Sequence, residues 1–129
     1  MNIKDFAEKY IKIWQQAAFS GKTGDLQKMF DPAFIYHDLF IESHLDGYLQ
    51  HIRDIQKSAE IKRFELKYLV GEANLFGLDF KARYKFSAEV PGKPGTKGKE
   101  IDTHYLCFFH VKDNRIDEGW SAGISTDLN

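Results

Sequence analysis

Asp38 is the best-placed residue for acid–base chemistry. It closes the run Phe34-Ile35-Tyr36-His37-Asp38, whose composition predicts a short strand. A carboxylate set among Tyr36, Phe40 and Trp14 would lose water, which disfavours its charged form and turns it into a useful proton acceptor. The plainer reading is a strand-end aspartate that caps a turn or faces solvent. His37 adjoins it, but successive side chains on a strand point to opposite faces. The two share a pocket only if the strand ends between them, and a strand-edge histidine is the simpler expectation. Glu118 is a second acid–base candidate if it faces inward, and an exposed rim carboxylate if it does not.

Other chemistries find less support. The chain has one cysteine, Cys107, so no intrachain disulfide can form. With no basic group near it in sequence, it reads as a small buried hydrophobe rather than a nucleophile. The five histidines, His37, His44, His51, His104 and His110, lack tight ligand spacing, so no metal site is expected. No phosphate loop, zinc motif or nucleophile elbow occurs, and no cofactor is called for.

The bulk properties narrow the partners. The 129 residues suit one domain spanning 1–129. Nineteen acidic and eighteen basic residues leave a formal net charge of -1, which argues against nucleic acid or an anionic membrane, since both attract a strong basic field. Hydrophobic residues make up 43% and aromatic residues 15%, so the composition is globular, and aromatic walls suit apolar ligands as well as cores. The segment from Met1 to Phe6 is helical and amphipathic rather than a signal peptide. No apolar run approaches the ~18 residues of a membrane span. A cytoplasmic location is expected.

The elements that must position Asp38 follow from periodicity. Ile3, Phe6, Ala7, Tyr10, Trp14, Ala17 and Ala18 form one helical stripe, with Asn2 as N-cap and Gly21 as stop. A short helix is predicted over about 25–30, ended by Asp31-Pro32, then a strand at 34–38 and a loop to Asp46. Tyr48, Leu49, Ile52, Ile55 and Ala59 mark a third helix. From residue 64 the period becomes two. Leu78 to Val90 alternates most cleanly, after a turn somewhere between Gly71 and Gly77. Pro91 to Gly98 is a flexible connection. Glu100 to Lys112 and Arg115 to Trp120 form the last pair of strands, joined by Asp113-Asn114. The middle of the first of these is apolar on both faces, so both faces call for cover. Helices first and a meander last predict an α+β fold, with helices on one face of a curved sheet.

The order of elements and several local strings resemble the nuclear transport factor 2-like superfamily, the cystatin-like cone that includes SnoaL-like polyketide cyclases and ketosteroid isomerases. The strings are Gly24-Asp25-Leu26, Met29-Phe30-Asp31, Tyr36-His37-Asp38, and Phe109 through Ile116 running on to Trp120. The resemblance covers nearly the whole chain. It implies a cone-shaped, mostly antiparallel mixed sheet with three N-terminal helices on its concave face around a pocket. It places Thr103, Tyr105, Cys107 and Phe109 toward that pocket. His104, Leu106 and Phe108 fall on the outer face, through which relatives commonly dimerise. It puts Asp38 where the isomerases keep their general base. Cys107 stands where an isomerase would keep an acidic donor, and a thiol is a weak donor. Gly119 stands where the cyclases often have a histidine.

The resulting expectation is a cofactor-independent domain that binds a small apolar or aromatic molecule. Asp38 would act as acid–base group in a pocket walled by Trp14, Tyr36, Tyr84, Tyr105, Cys107, Phe109 and Trp120. The alternatives are a ligand-binding module without catalysis and a dimeric interaction protein using Leu106 and Phe108.

Overall fold

The computed structural model describes residues 1–38 and 42–128. Helix α1 spans Ile3–Ser20. The side chain of Asn2 accepts hydrogen bonds from the backbone N–H groups of Lys4 and Asp5 at 3.0 and 3.1 Å, satisfying two of the donors that a helix start leaves unpaired. Gly21 ends the helix in the left-handed region at φ 74° and returns its N–H to the Ala17 carbonyl. Ala7, Tyr10, Ile11, Trp14, Ala17 and Ala18 are its buried stripe. Helix α2, Gly24–Gln27, is a single turn packed on α1 and carries Leu26 into the same core. Helix α3, Leu45–Ser58, buries Leu45, Tyr48, Leu49 and Ile52.

The strands are β1 (Phe30–His37), β2 (Glu42–His44), β3 (Ala59–Glu72), β4 (Leu75–Phe86), β5 (Glu100–Lys112) and β6 (Arg115–Asp127). They form one open six-stranded sheet in the order β2-β1-β6-β5-β4-β3. Among the described residues only the β1–β6 pairing is parallel. The fold is thus α+β with a mixed, mostly antiparallel sheet. The β5–β6 turn places Asp113 and Asn114 at φ 52° and 62°, the geometry of a two-residue hairpin that Asn tolerates best.

Several boundaries differ from those expected. Phe30 opens β1 rather than closing a helix, and Asp31-Pro32 lies within the strand, where pairing to β6 is interrupted between Phe30 and Ile35. That interruption accommodates a residue with no N–H. The short β2 lies in the predicted loop. Strand β3 begins at Ala59, and its turn to β4 falls at Ala73-Asn74, inside the expected stretch from Gly71 to Gly77, but β4 starts earlier than residue 78 and stops at Phe86. Strand β6 runs seven residues past Trp120.

The inner face of the sheet and the stripes of α1 and α3 enclose an aromatic core. Tyr10 packs on Phe109 with ring centroids 4.9 Å apart, and Trp14 on Phe80 at 5.0 Å. Phe34, Phe76 and Phe109 are almost wholly buried. The outer face carries charged pairs instead. Arg83 donates two hydrogen bonds to Asp102, at 2.7 and 3.0 Å. His104 meets Asp79, and His110 meets Asp117, both at 2.6 Å. Among these pairs lie Leu106 and Phe108, about half exposed at 48% and 54%. The ring of Phe108 lies over Gly77, where an added Cβ would come within 2.8 Å of it.

Candidate active site and ligand cavity

Period-two alternation builds most of the site. Along β5 it turns Thr103, Tyr105, Cys107 and Phe109 inward, and along β6 it turns Gly119, Ser121, Gly123 and Ser125 inward. The β6 set is small, which leaves room for a cavity of about 600 Å³. Helix α1 supplies Tyr10 and Trp14 as one wall, and α3 supplies Tyr48, His51, Ile52 and Ile55. Phe80 and Tyr84 of β4 complete the apolar lining. This volume falls within the range of small-molecule sites.

Asp38 lines the cavity just past the end of β1. It is exposed at the rim rather than desolvated within, and Phe40, the neighbour expected beside it, lies outside the described residues. Lys93 also lines the cavity. Its loop is organised by Glu89, whose carboxylate accepts from the Thr96 N–H at 2.8 Å, the Thr96 hydroxyl at 3.0 Å and the Lys97 N–H at 3.4 Å. These bonds hold the Glu89 carboxyl below its ordinary pKa. The predicted flexible connection is therefore a tied loop that sets a cation beside the cavity.

The residues named from sequence separate into two groups. Trp14, Tyr36, Tyr84, Tyr105, Cys107 and Phe109 lie on the cavity wall. Trp120 does not. Gly119 and Ser121 occupy the inward positions of β6, so Trp120 points to the outer face, where it stacks on His37 at 5.5 Å and an interplanar angle of 16°. Glu118 is outward for the same reason and lies 2.7 Å from His37 Nε2, with Glu42 at 3.5 Å from Nδ1. Neither His37 nor Glu118 reaches the cavity. Gly119 has a physical reason to be glycine, since an added Cβ would sit 2.7 Å from the Phe109 ring and 3.3 Å from Phe34.

Sequence reasoning missed Tyr10 and Tyr48 as a pair, the serines of β6, His51 and Lys93. The hydroxyls of Tyr10 and Tyr48 lie 2.7 Å apart. Those of Tyr84 and Tyr105 are 3.2 Å apart, those of Thr103 and Ser125 3.1 Å apart, and Tyr36 is bonded to Ser121. Burial holds the Tyr10, Tyr48 and Tyr84 hydroxyls well above the ordinary tyrosine pKa and raises that of Tyr105. Tyr36 is pushed up to about 12, again chiefly by burial. All five are neutral donors at physiological pH. Burial likewise pushes the Cys107 thiol up to about 12, which leaves it protonated and inert.

His51 of α3 also lines the cavity, and its pKa is lowered first by burial and then by the Lys93 charge. Its imidazole is neutral near pH 7 and can accept a proton. Of the other histidines, His37, His104 and His110 are held by carboxylates on the outer face. Among the described residues no three His, Cys, Asp or Glu side chains converge on a metal position, and no helix is long and apolar enough to cross a membrane.

No protein-family model and no curated protein matches the sequence. Solved structures match it in fold. TsrD from Streptomyces laurentii aligns with a TM-score of 0.77 at 15% identity, over 92% of this chain and 88% of that one. IdmH from Streptomyces antibioticus, a proposed polyketide cyclase, aligns at 0.71 and 22% identity, over 92% and 90%. An NTF2-like protein from Anabaena variabilis aligns at 0.73 and 11% identity, over 95% and 89%. These identities carry the fold and not an activity. On that footing, the chain has the fold of the nuclear transport factor 2-like superfamily, to which the SnoaL-like cyclases belong.

Proposed function

We propose that this chain binds a small, flat aromatic molecule in the cavity and that Asp38 performs proton transfer on it, without a cofactor. One observation carries the reading: an aromatic-walled cavity of about 600 Å³ whose lining, among the described residues, includes a single carboxylate, Asp38. A base at the rim can take a proton from a carbon acidified by an adjacent electron-withdrawing group while the ring is held by Trp14, Phe80 and Tyr105. His51, neutral and in the same lining, is placed to accept or return that proton. The structural likeness to a proposed polyketide cyclase agrees with cyclase or isomerase chemistry.

The test uses 5-nitrobenzisoxazole, a planar aromatic probe of base catalysis. The base removes the ring C–H proton, the electron pair forms the nitrile, and the N–O bond breaks to release a coloured cyanophenolate. Wild-type protein is expected to accelerate this reaction above buffer, and Asp38→Asn to lose about 10²-fold of that acceleration, the lower range for a positioned base. Equal rates for the two proteins would remove Asp38 from the role. An aromatic ligand retained in native mass spectrometry beside equal rates would favour the binding module.

A second reading concerns assembly. We also propose that two copies pair through the outer sheet face. Leu106, Phe108, Trp120 and Val70 are exposed together there, each by a third or more, and exposed apolar patches of this kind mark interaction sites. Size-exclusion chromatography with light scattering should report a dimer for wild type and a monomer for Leu106→Glu. An unchanged dimer in the variant would place the interface elsewhere.

A further inference from the structure

Two Pro-Gly corners place a lysine at the mouth of the cavity. The loop after β4 contains Pro91-Gly92-Lys93-Pro94-Gly95. In such a corner proline pre-sets its own φ, and glycine takes the positive φ that follows. Gly92 and Gly95 stand at φ 77° and 85°. The Lys93 N–H closes the first corner on the Val90 carbonyl at 2.9 Å. The Val90 N–H donates to the Thr96 hydroxyl at 2.8 Å, and the Val90 side chain is buried. Together with the Glu89 carboxylate, which ties Thr96 and Lys97, these contacts fix the backbone on both sides of Lys93.

The cavity lining holds few charges for that lysine to meet. Among the described residues it contains one carboxylate, Asp38, one ammonium, Lys93, and the imidazole of His51. No acidic side chain of the described residues pairs with Lys93. Its charge reaches the lining all the same, because it acts on His51 there, against the opposite charges of Asp38 and of Asp54, three residues further along α3. A cation without a partner, beside low-dielectric aromatic walls, focuses a field that favours an anion. Asp38 repels the same anion. A ligand that bears one is therefore turned with its acid group at Lys93 and its rings inward on Trp14 and Phe80. The neutral His51 ring carries one N–H that can donate to that group.

We propose that the ligand is an aromatic carboxylic acid and that Lys93 holds its carboxylate at the cavity mouth, on a loop that the two Pro-Gly corners pre-shape. This rests on the cavity being a ligand site. It adds the charge of the ligand, names the residue that recognises it and fixes which end of the molecule faces Trp14 and Phe80. It also accounts for the order of the loop. A lysine on a flexible segment would lose backbone freedom on binding, whereas one already placed does not.

Isothermal titration calorimetry at neutral pH with naphthalene-2-carboxylate and naphthalene-2-carboxamide compares one ring frame and nearly one shape, charged and uncharged. Wild type should bind the carboxylate about fivefold more tightly, the upper range for a pair exposed to solvent. Lys93 is exposed, so Lys93→Gln should fold, as circular dichroism checks. It should bring the ratio to within about twofold of unity and leave the amide affinity unchanged. Glu89→Gln separates position from charge. Removing a nearby negative charge would by itself raise the ratio, whereas untying the loop lowers it, and a lower ratio is expected. In a proton NMR titration, bound carboxylate should raise the His51 pKa, because an anion beside the ring favours its charged form, and bound amide should not. Equal affinity of wild type for the two ligands would overturn the anion site while leaving the cavity reading intact. No binding of either would overturn both. A preference that survives Lys93→Gln, or a His51 indifferent to bound carboxylate, would refute the assignment to Lys93. A higher ratio in Glu89→Gln would refute the role of the tied loop.

Discussion

Raising the pH should unfold this protein from the inside. Four cavity tyrosines, Tyr10, Tyr36, Tyr48 and Tyr84, and the Cys107 thiol have pKa values well raised by burial in the folded chain. An acid with a raised folded pKa keeps its proton in the native state while the unfolded chain gives it up. The native state then binds more protons, and stability falls as pH rises above the unfolded pKa. Below about pH 8.5 the contribution is fully present. At about pH 11 Tyr36 is one unit past its unfolded value of about 10 and Cys107 two units past 9.0, while both keep their protons to about pH 12 in the folded chain. These two groups together cost about 4 kcal/mol, and Tyr10, Tyr48 and Tyr84, raised well above 10, add to that loss. The loss from the two alone approaches the 5–15 kcal/mol that holds a typical domain together. The assay follows tyrosinate absorbance and far-ultraviolet circular dichroism through one alkaline titration. The cavity tyrosines should ionise together with loss of helix, in one steep step near pH 11. Ionisation of these tyrosines near pH 10 with the helix signal intact would refute the burial on which the site's donor character depends.

Two further outcomes probe the packing and the electrostatics. Gly119→Ala drives a methyl against the Phe109 and Phe34 rings, both almost wholly buried, and should cost about 1–3 kcal/mol in urea unfolding. Gly24→Ala, with nothing within 4 Å of its Cβ position, is the control and should stay within about 0.5 kcal/mol. Lys93→Gln should raise the His51 pKa in a proton NMR titration, and Asp38→Asn should lower it, because the Lys93 charge depresses that pKa and the Asp38 charge supports it. A His51 value indifferent to both would separate these three residues.

Much of the architecture was legible because it obeys simple periods. The stripe from Ile3 to Ala18 and the alternation of β4 and β5 show in single residues. Strand β6 beyond Trp120 was not legible for a reason tied to the site. Ser121, Gly123 and Ser125 are small because they border the cavity, so the strand lacks the bulky alternation by which strands are recognised. Strand β2 has three residues, too few for a period. Trp120 was assigned to the wall as an aromatic in a family position. Parity decides otherwise, since Phe109 faces in and is paired with Gly119, which leaves the next residue outside. His51 did carry a signal, lying three residues after Tyr48 and four before Ile55 on a helix. The hydroxyl pairs carried none. Their partners are 21 to 85 residues apart in sequence, and only the folded sheet and helices bring them together.

The central claim is that the aromatic-walled cavity holds a flat ligand within reach of Asp38. A crystal structure of the protein with anthraquinone-2-sulfonate tests it most directly. The account predicts ring density against the wall formed by Trp14, Phe80 and Tyr105, with a ligand atom within about 3.2 Å of an Asp38 oxygen or one water away. Density for the ligand on the outer face beside Phe108, with only water between Trp14 and Tyr105, would contradict it.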